Sequence, residues 1–211
     1  MPEGTQRMTR FGSLFGAIVL ALALAALTAP ACNSTAGTSG GPIARLVGQA
    51  LAPENDQEVP LANEVVVLLT YDEEGNIVTA EVGTTDADGK FQVDVEAQAV
   101  VALVVGGTTD EGDTEISGLF NPDQEMIDKD LDDATSIACV AGLTAIGDGS
   151  ITEEQLNEER VQNLEDASVD YIQANPDFDY YNEADQEAAV AAVRLATDDG
   201  AHPAAADAFA P

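Results

Sequence analysis

The chain has 211 residues, with 39 acidic side chains against 7 basic ones and a formal net charge of −32. That balance excludes a nucleic-acid footprint, which needs clustered cations facing phosphate, and it excludes electrostatic docking on anionic lipid. Beyond Glu3 the acids run from Glu54 to Asp207 without clustering, which fits a salty exterior where screening relieves self-repulsion; specific cation sites are the competing reading.

The N-terminus carries the first pattern. Arg7 and Arg10 precede an apolar run from Phe11 to Leu27, and Thr28-Ala29-Pro30-Ala31 leads directly to Cys32. Positive start, apolar centre and small residues are the build of a secretory signal peptide over residues 1–31. Ending on a cysteine, the segment resembles the lipobox of bacterial lipoproteins, although Ala29 stands where Leu is usual. The resemblance implies cleavage before Cys32, a lipid on its thiol (the palmitate class of modification), and attachment to the membrane through that lipid. Asn33 after the cysteine then points to the outer membrane or cell surface within the cell envelope. An ordinary signal peptide and an uncleaved anchor remain the alternatives, since the apolar run sits at the lower limit for spanning a bilayer. Residues 32–42 are small, polar and Gly/Ser/Thr-rich, the composition of a flexible tether.

From Ile43 short apolar runs alternate with turn signals. Arg45 to Leu51 is expected as a strand with Gly48 at a bulge, broken by Ala52-Pro53-Glu54-Asn55-Asp56. Glu64 to Tyr71 is β-branched and almost continuously apolar, so it belongs in the centre of a sheet. Asp72 to Asn76 turns into a strand from Ile77 to Val82, and Asp86-Ala87-Asp88-Gly89 turns into Lys90 to Val95, where Phe91, Val93 and Val95 alternate with polar residues. Ala99 to Val105 is a further strand, ended by Gly106-Gly107, and Thr114 to Phe120 closes the set. Short strands with turns at this spacing predict an antiparallel β-sandwich over 43–120.

Three segments carry a second resemblance: Leu46-Val47-Gly48-Gln49-Ala50, Val59-Pro60-Leu61-Ala62-Asn63-Glu64-Val65-Val66-Val67, and Thr84-Thr85-Asp86-Ala87-Asp88-Gly89-Lys90-Phe91. Together they resemble the carboxypeptidase regulatory-like domain, an Ig-like, transthyretin-like β-sandwich. The chain departs from that pattern in the second segment, with Ala62-Asn63-Glu64 where Gly-Ala is usual. The third segment has a turn mechanism behind it: Asp86 caps, Gly89 takes positive φ and Phe91 points into the core. The resemblance implies an accessory or binding module and brings no catalytic residues with it.

Beyond Phe120 the period becomes helical, so residues 121–200 read as a three-helix C-terminal segment and 201–211 as a loose tail. Asp132 or Asp133 caps a helix through Ile146 that is apolar almost all round, the mark of burial. Thr152-Glu153-Glu154-Gln155 reads as a capping box opening a second helix to about Ala174, with Val161, Leu164, Ala167 or Ser168, and Tyr171 as its stripe. Asn175-Pro176 stops it, and Asn182 caps a third helix to about Ala196. The expected class is mainly β plus α.

Candidate sites are few. Asp86 and Asp88 with Asp110, Glu111 and Asp113 offer oxygen ligands to Ca²⁺ if their loops meet; ordinary turn chemistry is the plainer reading. Asp148-Gly149-Ser150 resembles half of an EF-hand but lacks most of the ligands. Tyr180-Tyr181 beside Phe178 either stack on a sugar or partner, or anchor a loop to the body. With Cys32 lipidated, Cys139 reads as a small buried hydrophobe; without lipid, a Cys32–Cys139 disulfide is open. The single histidine, His202, falls in the tail, and no Walker loop, H-E-x-x-H or Cys/His cluster occurs. No cofactor and no catalytic group is therefore expected. The expected function is a non-catalytic envelope lipoprotein that binds a protein or glycan; a purely structural envelope role and an accessory domain of a hydrolase are the alternatives.

Overall fold

The computed structural model describes residues 43–55, 57–71, 77–96, 100–110, 112–122 and 126–197. The leader, Cys32 and its tether, the turn at 72–76, Glu111, His202 and the tail from 198 lie outside the described residues. The strands are β1 (Ile43–Gln49), β2 (Leu51–Glu54), β3 (Gln57–Pro60), β4 (Val65–Tyr71), β5 (Ile77–Thr84), β6 (Lys90–Glu96), β7 (Val101–Thr109), β8 (Gly112–Phe120) and β9 (Met126–Asp128). They form a four-stranded sheet β5-β4-β7-β8, a three-stranded sheet β6-β1-β9 and a hairpin β2-β3.

The alternation in β6 buries Phe91, Val93 and Val95 and leaves Gln92 and Asp94 exposed. Those side chains meet Ala44 and Leu46 of β1 and the inward residues of the larger sheet: Val66 of β4, Leu103 and Val105 of β7, Ile116 and Phe120 of β8. This is the sandwich core, and its pairings are antiparallel apart from β1 with β9. The apolar run of β4 does lie centrally, between β5 and β7. Its opposite face is buried towards its end: Val65 is exposed and Val67 half-buried, but Leu69, with Ala102 and Leu119, borders a small void shared with Leu143 of the first helix. Burial on both faces is why the run does not alternate.

The fold departs from the sequence expectation in several places, each with a local cause. Gly48 pairs in regular register with Phe91, so it is not a bulge. It is needed because β9 runs parallel to β1 so closely that a Cβ at Gly48 would lie 1.8 Å from the Lys129 carbonyl oxygen. The bulge falls instead in β5, opposite Val66 and Val67. Ala52-Pro53-Glu54 does not break the chain but forms β2, because a two-stranded hairpin tolerates the donor that Pro53 lacks. Gly106-Gly107 does not end β7, which continues to Thr109 by pairing both glycines with β8.

The helices are α1 (Asp133–Gly147), α2 (Glu158–Ala174) and α3 (Glu183–Thr197). Asp132 is the cap of α1: its carboxylate accepts from the Thr135 amide at 2.8 Å, and its own amide donates to the Thr135 hydroxyl at 2.8 Å. The helix is buried around nearly its whole circumference, from Ala134 to Gly142. It lies on β8, where the Ser117 amide donates to Ser136 Oγ at 2.9 Å, and packs against both α2 and α3, which also pack on each other. Fully burying a side chain such as Ile137 contributes about 2–3 kcal/mol.

The expected capping box at Thr152 closes only a single 3-10 turn, Glu153–Gln155, with Gln155 Oε1 accepting from the Thr152 amide at 2.8 Å. Leu156 then buries completely, and α2 starts afresh at Asn157, whose side chain caps Arg160. Its stripe of Val161, Leu164, Ala167 and Ser168 is buried. Asn182 caps α3, with Oδ1 accepting from the Ala184 amide at 2.9 Å. The result is an antiparallel sandwich-like β assembly followed by three helices. No helix among the described residues is long and apolar enough to cross a membrane.

Candidate functional site

Of the four aspartates weighed as Ca²⁺ ligands, Asp86 and Asp113 bond locally through their carboxylates, and Asp88 and Asp110 through backbone groups. Asp86 Oδ1 accepts from the amides of Asp88 and Lys90, both at 2.9 Å, and these bonds hold its carboxyl below the usual range. Gly89, at φ 75°, completes that turn, and the Asp88 carbonyl accepts from Gln49 Nε2. At the β7–β8 hairpin Asp113 accepts from the Thr108 hydroxyl at 3.1 Å, and the Asp110 amide donates to Glu54 at 3.0 Å. Among the described residues no three Asp, Glu, His or Cys side chains gather as metal ligands would. Asp86, Asp88, Asp110 and Asp113 thus shape turns rather than forming one cluster.

The half EF-hand is likewise a helix end. Asp148 caps α1, accepts from the Ser150 amide and hydroxyl, and pairs with Arg194 of α3. Those bonds hold its carboxyl below the usual range. Cys139 is a free thiol inside α1, and burial pushes its pKa up to about 12, so it is protonated and unreactive at neutral pH.

What the fold does assemble is a cleft of about 440 Å³ between the β2–β3 hairpin and the loop that joins α2 to α3. Pro53, Glu54 and Glu58 come from the hairpin; Phe178, Tyr180 and Tyr181 come from the loop; Asp133 comes from the first turn of α1. The loop is pinned by its tyrosines. Tyr180, 5% exposed, donates its hydroxyl to the Glu115 carbonyl at 2.6 Å. Tyr181 donates to the Pro53 carbonyl at 2.7 Å and lies 3.0 Å from the Thr109 hydroxyl. The two rings meet edge to face, as do Tyr171 and Phe178. The loop-anchor reading of these aromatics thus holds for Tyr180, while half-buried Phe178 and Tyr181 also present ring surface to the cleft.

Electrostatics single out Asp133. Burial pushes its carboxyl up to about 6, and Asp132 and Glu58 add like-charge repulsion, against the bond it accepts from the Ala134 amide at 2.7 Å. Nearby on β8, burial lifts Glu115 to about 7. Among the described residues no lysine or arginine lines the cleft. Three of the five described cations pair elsewhere: Arg45 with Asp94, Lys129 with Glu165, Arg194 with Asp148.

The sequence named Asp133 only as a helix cap, passed over Glu54 as part of a break and gave Glu58 no role. The available signal was the Glu54/Glu58 pair around a hairpin, which becomes visible only once Pro53 is accepted inside a strand.

No protein-family model matches the chain, and no curated protein matches it. Among solved structures, a DUF3823 family protein from Parabacteroides merdae aligns at TM-score 0.31 and 18% identity, over 44% of this chain and 46% of that one. The plantain pollen allergen Pla l 1 aligns at TM-score 0.29 and 11% identity, over 43% and 89%. A 9R-lipoxygenase from Cyanothece aligns at TM-score 0.31 and 12% identity, over 78% and 29%. The chain thus spans under half the length of the first of these, and likenesses at such scores say nothing of activity.

Proposed function

We propose that this chain is a non-catalytic binding module, tethered to the cell envelope by a lipid on Cys32 and offering the cleft between the β2–β3 hairpin and the α2–α3 loop to a ligand. The cleft carries the reading: it is large enough for a ligand, lined by aromatic rings and carboxylates, and held open by loop-pinning hydrogen bonds. The binding reading also rests on what the described lining offers, carboxylates and ring faces, with no nucleophile beside a base among them.

Local geometry also supports the likeness to the carboxypeptidase regulatory-like domain. Asn63, standing where glycine is usual, takes φ 61°, a conformation that asparagine tolerates better than other non-glycine residues. The Asp86 cap, positive-φ Gly89 and buried Phe91 form the turn that the Asp-x-x-Gly-x-Phe spacing predicts. A β-sandwich accessory domain at the outer membrane or cell surface is the setting these features favour.

Two measurements test the proposal. Intact mass of protein extracted from membranes should match a chain starting at Cys32 plus acyl groups, and Cys32→Ser should lose that mass. A saturable ligand should raise the melting temperature, and the rise should shrink in a Phe178→Ala variant. Retention of residues 1–31 would remove the lipid anchor, and a panel of proteins and glycans giving no protection would leave the structural envelope role.

A further inference from the structure

Building on the binding-module reading, we propose that the cleft takes a lysine or arginine side chain presented by a basic segment of a partner protein, with Glu54, Glu58 and Asp133 facing the cation and Phe178 and Tyr181 contributing ring surface. The cavity sets the scale: about 440 Å³ lies within the range of ligand clefts, roughly 300–1,000 Å³. It is therefore large enough for a long side chain and part of the backbone that carries it.

The wall chemistry sets the sign. Glu54, Glu58 and Asp133 come from three separate elements, β2, β3 and α1; a fourth acid, Asp179, comes from the loop and accepts from the Tyr181 amide, and among the described residues no basic side chain lines the space between them. The charged groups acting on Asp133 are Asp132 and Glu58, both acidic. Glu54 is positioned by the Asp110 amide through one carboxylate oxygen, and Asp133 by the Ala134 amide through one of its own. Each keeps a second oxygen as an acceptor. An incoming cation would relieve the repulsion around Asp133; a neutral ligand would not, and an anionic one would add to it.

The tyrosine hydroxyls are not free to bind a sugar, and the remaining oxygens of the ionised carboxylates can accept from sugar hydroxyls but not donate to them. Here both tyrosine hydroxyls are bound to backbone carbonyls, of Glu115 and Pro53. What Phe178 and Tyr181 still offer is the ring, and a ring beside carboxylates in a half-closed space suits a guanidinium or ammonium through cation–π attraction.

The test uses the purified full chain and a fluorescein-labelled Gly-Arg-Gly-Arg-Gly-Arg-Gly peptide, followed by anisotropy in 0.3 M NaCl to screen diffuse charge. Saturable one-to-one binding is expected, lost when citrulline replaces arginine. Asp133→Asn should weaken it about tenfold, and the exposed Glu58→Gln about threefold. Glu81→Gln, an exposed acid on β5, should leave it unchanged. Because Glu58 is exposed, its variant carries the test even if Asp133→Asn disturbs α1. Equal weakening by Glu58→Gln and Glu81→Gln would assign binding to overall acidity and overturn the proposal. A neutral oligosaccharide that protects the chain against heat where the peptide does not bind would also overturn it, while leaving the binding-module reading intact. Failure of every ligand would overturn both.

Discussion

Two acidic regions of this molecule use the same side chain to opposite ends. At the β5–β6 turn, Asp86 points its carboxylate at two amides of its own turn, and its pKa falls. In the cleft, Asp133 sits half-buried among other acids, and its pKa rises. The first carboxylate stabilises the fold by being charged; the second is a cost to the fold when charged. The β2–β3 hairpin joins the two regions. The base of the hairpin rests on the turn, where a Cβ at Gly89 would lie 2.8 Å from the Pro60 side chain, while Glu54 and Glu58 further along it line the cleft. Acidity as such therefore says little about function; what each carboxylate accepts decides it.

The largest expected effect separates the two regions by pH. Asp133 and Glu115 have folded-state pKa values of about 6 and about 7, above the ordinary carboxylate range, so the folded state binds protons that the unfolded chain would release. Their effect is absent below about pH 4, and stability falls as pH rises through 6 and 7, by about 2–4 kcal/mol in all. Asp86, Asp94 and Asp148 are shifted the other way, so what they contribute is lost as pH falls below the usual carboxylate pKa. Stability should therefore peak at about pH 4–5 in denaturant titrations. High salt keeps whole-chain repulsion from imitating the effect. Asp133→Asn should flatten the decline above the peak; an unchanged slope would mean that Asp133 titrates normally.

The turn yields the next effect. Gly89→Ala forces an L side chain to φ 75° and brings its Cβ against Pro60 and near the Ala50 carbonyl. The expected loss is about 2 kcal/mol, read as a lower denaturation midpoint at unchanged slope. The pH dependence from Asp133 should survive in this variant, since the turn and the cleft draw on different carboxylates. If the decline above pH 5 vanished as well, the hairpin would be coupling the two regions.

How much of this was legible in the sequence follows from the same contrast. The Asp86 turn could be read because its cause is local: a cap, a positive-φ glycine and an alternating strand within the ten residues from Asp86 to Val95. The all-round apolar character of α1 could be read because burial writes itself into composition. The short β9 could not, since its three residues take their strand from a parallel neighbour about eighty positions away. The cleft could not either. It depends on Pro53 lying inside a hairpin and on two tyrosine hydroxyls reaching carbonyls 65 and 128 residues distant in sequence. Such contacts leave no period and no spacing behind.

The smallest effect probes how firmly the cleft is held. Tyr181→Phe keeps the ring and removes the hydroxyl that binds the Pro53 carbonyl and meets Thr109. A single hydrogen bond contributes about 1 kcal/mol, so the loss in overall stability should be of that order. The more informative reading is local. Amide exchange should quicken in the β2–β3 hairpin and the 175–182 loop, because the bond ties one wall of the cleft to the other. Exchange at the Asp86 turn should stay as it was, since none of its bonds passes through Tyr181. Equal quickening at both places would show that the hairpin moves as one rigid piece, and that the cleft cannot open without loosening the turn.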